Sequence, residues 1–425
     1  MTSLLQTLSC ADDYDPESLG AERARQLILD LVEPVAGSER VALRDSLGRV
    51  LAEDVISPHD VPGHDNSAMD GYALRFADLA AAGETALRVA GTTFAGRAFA
   101  GRLGAGECVR IMTGGVIPAD ADTVVIQEVV RAEGDRIIVP PKQRMGQNVR
   151  RAGEDLRAGS PAIRAGKRLR PAELGLIASL GLGEVAVRHR PHVAFFSTGD
   201  ELCSIGTPLK EGEVYDSNRY TLRGMLARLG CEIVDLGVVR DDPAAIEAAF
   251  RQASEADAIV TSGGVSVGEE DHLRPAVLAE GRLENWQVAM KPGKPLAFGA
   301  VRRCCGGSSD GEALFVGLPG NPVSSWVTFV LCVSTVLRVL QGLPPGLPRP
   351  LPLKAAFDWP RPDKRREFVR VRLNDAGEPE LFDNQSSGVL TSVVWADGLV
   401  DIAPGQTVAR GDAVRYLALS ELIAR

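Results

Sequence analysis

The chain has no pair of cysteines at CxxC spacing and no Cys/His set spaced as zinc ligands. Its seven cysteines (Cys10, Cys108, Cys203, Cys231, Cys304, Cys305 and Cys332) therefore read as reduced, incidental thiols. It has no excess of positive charge either. A net charge of -9 excludes nucleic acid as the main partner, while leaving room for a small anion in a local Lys/Arg pocket. No basic stretch followed by an apolar core opens the sequence, so no signal peptide is expected. No apolar run looks long enough to span a bilayer, and the expected location is the cytoplasm. What is present is ordinary globular composition, 45% hydrophobic and 24% charged, over 425 residues. That length predicts several domains rather than one core.

Apolar periodicity divides the chain. Ala21 to Val35 reads as a helix with Ala24, Leu27, Ile28, Leu31 and Val32 on one face. A second helix spans Pro171 to Leu180, closed by Gly181. Residues 1–40 and 143–190 are expected to form one elongated unit, with a β-rich module inserted at 41–142. An α/β domain follows at 191–342, with helices at Arg219 to Leu229, at Ala244 to Ala253 and from Asn321-Pro322. Beyond the Pro-rich GLPPGLPRPLP linker, residues 350–425 alternate strands and turns and predict a small β-barrel-like domain. The fold class is thus multidomain α/β plus β, with a central parallel sheet.

Within 191–342, short runs rich in Val, Ile and Phe read as strands buried on both faces, and each ends in a polar loop. Ligands of parallel α/β sheets bind beyond the carboxyl ends of the strands, so these loops outline a site. Ser262, Gly263, Gly264 and Ser266 suit either a phosphate cradle or a tight turn needing positive φ. The similar loop at Thr198, Gly199, Asp200 and Glu201, and the acidic run ending at Asp271, tilt the balance toward phosphate. Glu201, Asp271 and Asp241 or Asp242 could hold Mg²⁺ beside phosphate oxygens. Lys291 and Lys294, on a turn stiffened by Pro292 and Pro295, suit an oxyanion. Pro319, Gly320, Asn321 and Pro322 form either an anion-binding helix start or a plain cap.

The stretches DVPGHDNSAMDGYAL, RIMTGGVIPADADTVVIQE, NVRRAGEDL, FSTGDEL, VYDSNRY, GVVRDDP, TSGGVSVGEEDH, KPGKPLAFG and GLPGNPVSS together resemble the molybdopterin molybdenumtransferase family, whose eukaryotic relatives include the gephyrin E domain. The resemblance implies an elongated homodimer that takes molybdate and adenylylated molybdopterin as substrates, requires Mg²⁺, and releases AMP with molybdenum cofactor. It places pyrophosphate on Gly263, Gly264 and Ser266, and molybdate near Lys291, Lys294 and the Pro319 to Pro322 turn. It gives functional weight to Asp70 and Thr113, acting across the dimer. ADGLVDI and NQSSGVLTS resemble the gephyrin-like pattern, making Arg366, Arg370, Ser386 and Ser387 candidate anion contacts. Candidate partners are molybdopterin adenylyltransferase and molybdoenzyme maturation proteins. Two other readings compete. An adenylyltransferase would need only the α/β module, and a receptor-binding scaffold would have no need of the acidic and lysine loops.

Overall fold

The computed structural model describes residues 20–265, 272–303 and 311–423. The chain packs as two compact units. The smaller comprises Arg40–Leu47 and Leu51–Ala186, and the larger holds the other described residues.

The smaller unit is built on a six-stranded sheet ordered Thr123–Ile126, Gly71–Leu74, Glu107–Ile111, Thr85–Thr93, Arg136–Val139 and Arg131–Glu133. Its strands are short because Gly and Pro turns interrupt them. Tyr72, Leu74, Leu87, Cys108, Val125 and Ile137 fill one face. Two small ladders carry the chain back on itself: Val149–Arg150 pairs with Asn66–Ser67, and Pro161–Ile163 with Val55–Ile56.

The larger unit contains a second six-stranded sheet, ordered Glu232–Val239, His192–Thr198, Ala258–Ser262, Glu312–Leu318, Pro295–Arg302 and Gly281–Gln287. Parallel pairing runs through the first four strands. The last two strands join through antiparallel pairing, so the sheet is parallel at its centre and mixed at one edge. Glu312–Leu318 pairs antiparallel with Pro295–Arg302, from Ala297 opposite Gly317 to Arg302 opposite Glu312. Cys304 and Cys305, in a stretch whose sequence suggests a turn between two strands, lie outside the described residues.

Successive side chains on a strand face opposite ways, and Phe195 and Phe196 show it. Phe195 joins Leu222, Leu226, Trp326, Val330 and Leu337 on one side of the sheet. Phe196 joins Ile246, Phe250, Leu273, Val277 and Phe315 on the other. Each such side chain contributes roughly 1.5–3 kcal/mol when fully buried. Helices thus cover both faces, which explains the near-continuous apolar runs. Glu232–Val239 is the exception, an edge strand that is only partly buried.

The expected helices form, with shifted ends. The first stops at Leu29 rather than Val35. The others span Pro171–Ser179, Ser217–Arg228 and Pro243–Gln252. The helix that starts at Pro322 runs to Leu340 through a π-helical stretch at Phe329–Val333. Its 19 residues are long and apolar enough to cross a membrane, contrary to the sequence reading, but 89% of its most apolar window is buried inside the fold. Such burial marks a core helix.

The C-terminal region forms a β-rich sheet ordered Met290–Lys291, Arg366–Leu373, Gly398–Ile402, Ala413–Ala418 and Leu351–Lys354, with Pro379–Leu381 beside Arg366–Leu373. Met290–Lys291 comes from the α/β region and pairs parallel with Arg366 and Glu367. The lysine loop therefore bridges the two sheets, entering from Met290–Lys291 in the C-terminal one and leaving into Pro295–Arg302 of the central one.

Candidate active site

At the carboxyl ends of the parallel strands lies a cavity of about 710 Å³. That is the size of a small-molecule or cofactor site. Sequence reading placed Thr198, Gly199, Glu201, Asp241, Ser262, Gly263, Gly264, Pro319, Gly320, Asn321 and Pro322 at this rim, and all of them line it. Asp200 is exposed and does not. Ser266 and Asp271 lie outside the described residues.

The glycine pair has the backbone geometry of a tight turn. Gly263 has φ +89° and Gly264 φ +63°. A Cβ on Gly263 would sit 2.2 Å from the Thr198 carbonyl oxygen, and one on Gly264 2.7 Å from Thr198 Cγ2. The Gly263 N–H donates to Leu318 O at 3.0 Å. Positive φ and close approach to Thr198 thus require glycine here, and the Gly263 N–H is spent within the fold rather than offered to phosphate. Hydroxyls remain available. Thr198 Oγ1 is buried with no partner among the described residues.

Asn218 is a residue that sequence reading did not single out. Its side-chain amide donates to Ser262 Oγ at 2.8 Å and to Gly320 O at 2.7 Å, holding two rim loops together. Asp216, just upstream, lines the same cavity and is 4% exposed. VYDSNRY contained the signal, because Asp-Ser opens a helix at Ser217, two residues before the expected start.

Of the two candidate metal carboxylates after the Glu232–Val239 strand, only Asp241 reaches the cavity. Asp242 caps the next helix, its Oδ1 accepting from Ala244 N at 3.1 Å and Ala245 N at 3.0 Å. With Pro243 at the first helical position, this is an ordinary N-cap, and it turns Asp242 to the helix rather than to the cavity lining. Among the described residues no group of three or more His, Cys, Asp or Glu is placed to hold a metal ion. Glu201 and Asp241 fit Mg²⁺ only as a two-carboxylate set completed by phosphate oxygens.

The Asn321 helix start is also partly satisfied. Val323 N donates to Ser387 O at 2.9 Å, so the Ser387 backbone closes that terminus.

A second cavity, of about 290 Å³, gathers Lys291, Arg370, Ser386, Gln385, Trp359 and Glu367. Lys291 Nζ lies 3.1 Å from Glu367 Oε1 and 3.2 Å from Asp363 Oδ2. Burial pulls this ammonium down, but the two carboxylates outweigh it and hold its pKa above the usual lysine value. Arg370 differs. It is 1% exposed and donates to Ser392 Oγ at 3.1 Å and Ser386 O at 3.2 Å, with no carboxylate partner among the described residues. Desolvation pushes its pKa down to about 10.

Arg366 lies elsewhere. Its guanidinium makes a bidentate pair with Asp401, at 2.6 and 2.7 Å, and also meets Glu22. These contacts raise its pKa and leave it no open fork for a substrate anion, a correction to its expected role. Lys294 is only partly exposed, and it lines neither cavity.

In the smaller unit, Asp70 and Thr113 meet although 43 residues separate them. Gly71 pairs with Ile111 in antiparallel strands, which brings the residues just beyond them together. Asp70 Oδ1 accepts from Thr113 N at 2.7 Å and Thr113 Oγ1 at 2.8 Å.

Comparison with known proteins extends these observations over the chain. Residues 19–181 match the MoeA N-terminal region (domain I and II), 194–339 a probable molybdopterin binding domain, and 352–419 the MoeA C-terminal region (domain IV). The chain belongs to the molybdopterin molybdenumtransferase family. A Haemophilus influenzae molybdopterin molybdenumtransferase is 43% identical over 326 residues, covering 76% of this chain and 78% of that one. The Nostoc sp. enzyme is 36% identical, covering 90% and 89%. A crystal structure of the molybdopterin biosynthesis moeA protein from Pyrococcus horikoshii superimposes with a TM-score of 0.82 at 27% identity, over 95% of this chain and 100% of that one. Membership makes the chain a transferase of molybdenum cofactor biosynthesis.

Proposed function

We propose that the chain inserts molybdate into adenylylated molybdopterin, releasing AMP and molybdenum cofactor in an Mg²⁺-dependent reaction. The observation that carries this reading is the 710 Å³ cavity, where the 198–201, 262–264 and 319–322 loops converge within the molybdopterin-binding region. The substrate lies there with its phosphates toward the unpartnered Thr198 hydroxyl. Ser262 Oγ already accepts from Asn218, so its own hydrogen is directed to substrate. Glu201 and Asp241 would hold Mg²⁺, which would supply neutralisation of phosphate charge when bound.

Molybdate is assigned to the second cavity. Arg370 there carries a buried positive charge with no carboxylate partner among the described residues, and burial of a charge without a counter-ion is costly unless an anion arrives. Lys291 and Ser386 stand at the same opening. The working assembly is a homodimer in the cytoplasm, in which the exposed Asp70–Thr113 pair serves the partner's site.

The reaction is tested with adenylylated molybdopterin, molybdate and Mg²⁺ while AMP is followed. AMP release that requires both inorganic ions is expected. No AMP above the protein-free control would overturn the reading.

A further inference from the structure

Asp216 stands at the N-cap of the Ser217–Arg228 helix, and its two carboxylate oxygens have different fates. Oδ1 accepts from Arg219 N at 3.0 Å, the ordinary capping bond. Oδ2 is buried and has no hydrogen-bond partner among the described residues. The residue lines the main cavity. A buried carboxylate oxygen without a donor is expensive, because it has given up water and received nothing in exchange. Such an atom at a cavity wall asks for a ligand that donates.

The neighbours narrow the ligand. Leu202, Val214 and Tyr215 flank Asp216 on the cavity wall, where two short strands pair, Leu202–Cys203 with Val214–Tyr215. Leu202, Val214 and Tyr215 give this part of the wall an apolar surface beside the polar Ser217 and Asn218, and it suits the face of a flat heterocycle. Phosphates, dithiolene sulfurs and molybdate accept hydrogen bonds or carry negative charge, so Asp216 repels them. An adenine amino group sits beside the N1 lone pair, which opposes a carboxylate. A pterin instead presents its 2-amino group beside N3–H, two adjacent donors with no opposing lone pair on that edge.

We infer that Asp216 is a specificity residue, its Oδ2 accepting from the 2-amino and N3–H edge of the substrate's pterin. The inference rests on the reading of this cavity as the molybdopterin site. It orients the substrate: pterin edge on Asp216, phosphates toward Thr198 and Glu201.

Asp216→Asn tests it with little disturbance to the fold. Asn caps helices as well as Asp, so Oδ1 keeps its bond to Arg219 N. Only the free oxygen changes, from acceptor to amide donor. Asp216→Ser is the companion variant, which retains a capping oxygen and deletes the free arm. Calorimetry would compare wild type and both variants against 6-hydroxymethylpterin pyrophosphate, its 2-oxo lumazine counterpart and AMP.

Wild type is expected to prefer the pterin by roughly 10- to 100-fold, the scale of one hydrogen bond to a charged group. Asp216→Asn should lose that preference and favour the lumazine, whose 2-oxo group accepts from the new amide. Asp216→Ser should discriminate little, and AMP should bind all three proteins alike. An unchanged pterin-to-lumazine ratio in both variants would overturn the proposal. So would a loss of Mg²⁺ affinity at an unchanged ratio, which would make Asp216 a metal ligand, or a loss confined to AMP. Wild-type protein that binds neither pteridine would remove the reading of the cavity itself, and the assignment of Asp216 with it.

Discussion

Lys291 and Arg370 carry the same formal charge in opposite surroundings. Lys291 is neutralised by Glu367 and Asp363, while Arg370 is buried against neutral oxygens. A bound anion therefore gains more from Arg370. Asp70 shows a milder version of the same logic. The Thr113 backbone and hydroxyl donors hold its pKa below the usual carboxylate value. A depressed carboxylate contributes stability above its unfolded pKa and loses it as the pH falls through the folded one. In Thr113→Val the backbone bond stays and the hydroxyl bond goes. The Asp70 carboxyl should then titrate at higher pH than in wild type, though still below the ordinary value, as followed by carbon NMR. An unchanged titration would mean that the hydroxyl contributes nothing.

Among the elements, the loops differ in what they can still give a ligand. Gly263 and Gly264 serve backbone shape, and Asp242 serves a helix. Asp242→Ala separates capping from metal binding. It should cost about 1 kcal/mol in urea denaturation, the usual loss for an N-cap. Mg²⁺ affinity in the presence of a phosphate-bearing ligand should stay unchanged, because Asp241 and Glu201 remain. A variant of native stability but weakened Mg²⁺ binding would return Asp242 to the metal set.

Over the whole molecule, the two units divide the chemistry. The larger carries the two cavities described above, and the smaller carries an exposed Asp–Thr pair that lines neither of them. In the proposed dimer a second copy of the chain would give that pair a task, and symmetric dimers are the commonest closed assembly. Light scattering at micromolar concentration should return about twice the chain mass. A fully active monomer would count against the dimer.

Periodicity and punctuation already determined much. Apolar runs of four to eight residues, each ended by Gly, Asp or Ser, located the strands and the rim of the main cavity, because a strand buried on both faces can tolerate polarity only at its ends. Fates decided by distant partners were not legible. Arg366 and Arg370 are four residues apart in one strand, yet one meets Asp401 and Glu22 while the other meets Ser392 and the Ser386 carbonyl. The entry of Met290–Lys291 into the C-terminal sheet was likewise set by pairing across a long separation, with Arg366 and Glu367. Local sequence specifies what a residue can donate or accept. Which atom stands opposite is fixed only when the chain has closed on itself, and that left Asp216 with one oxygen bonded and one facing the cavity.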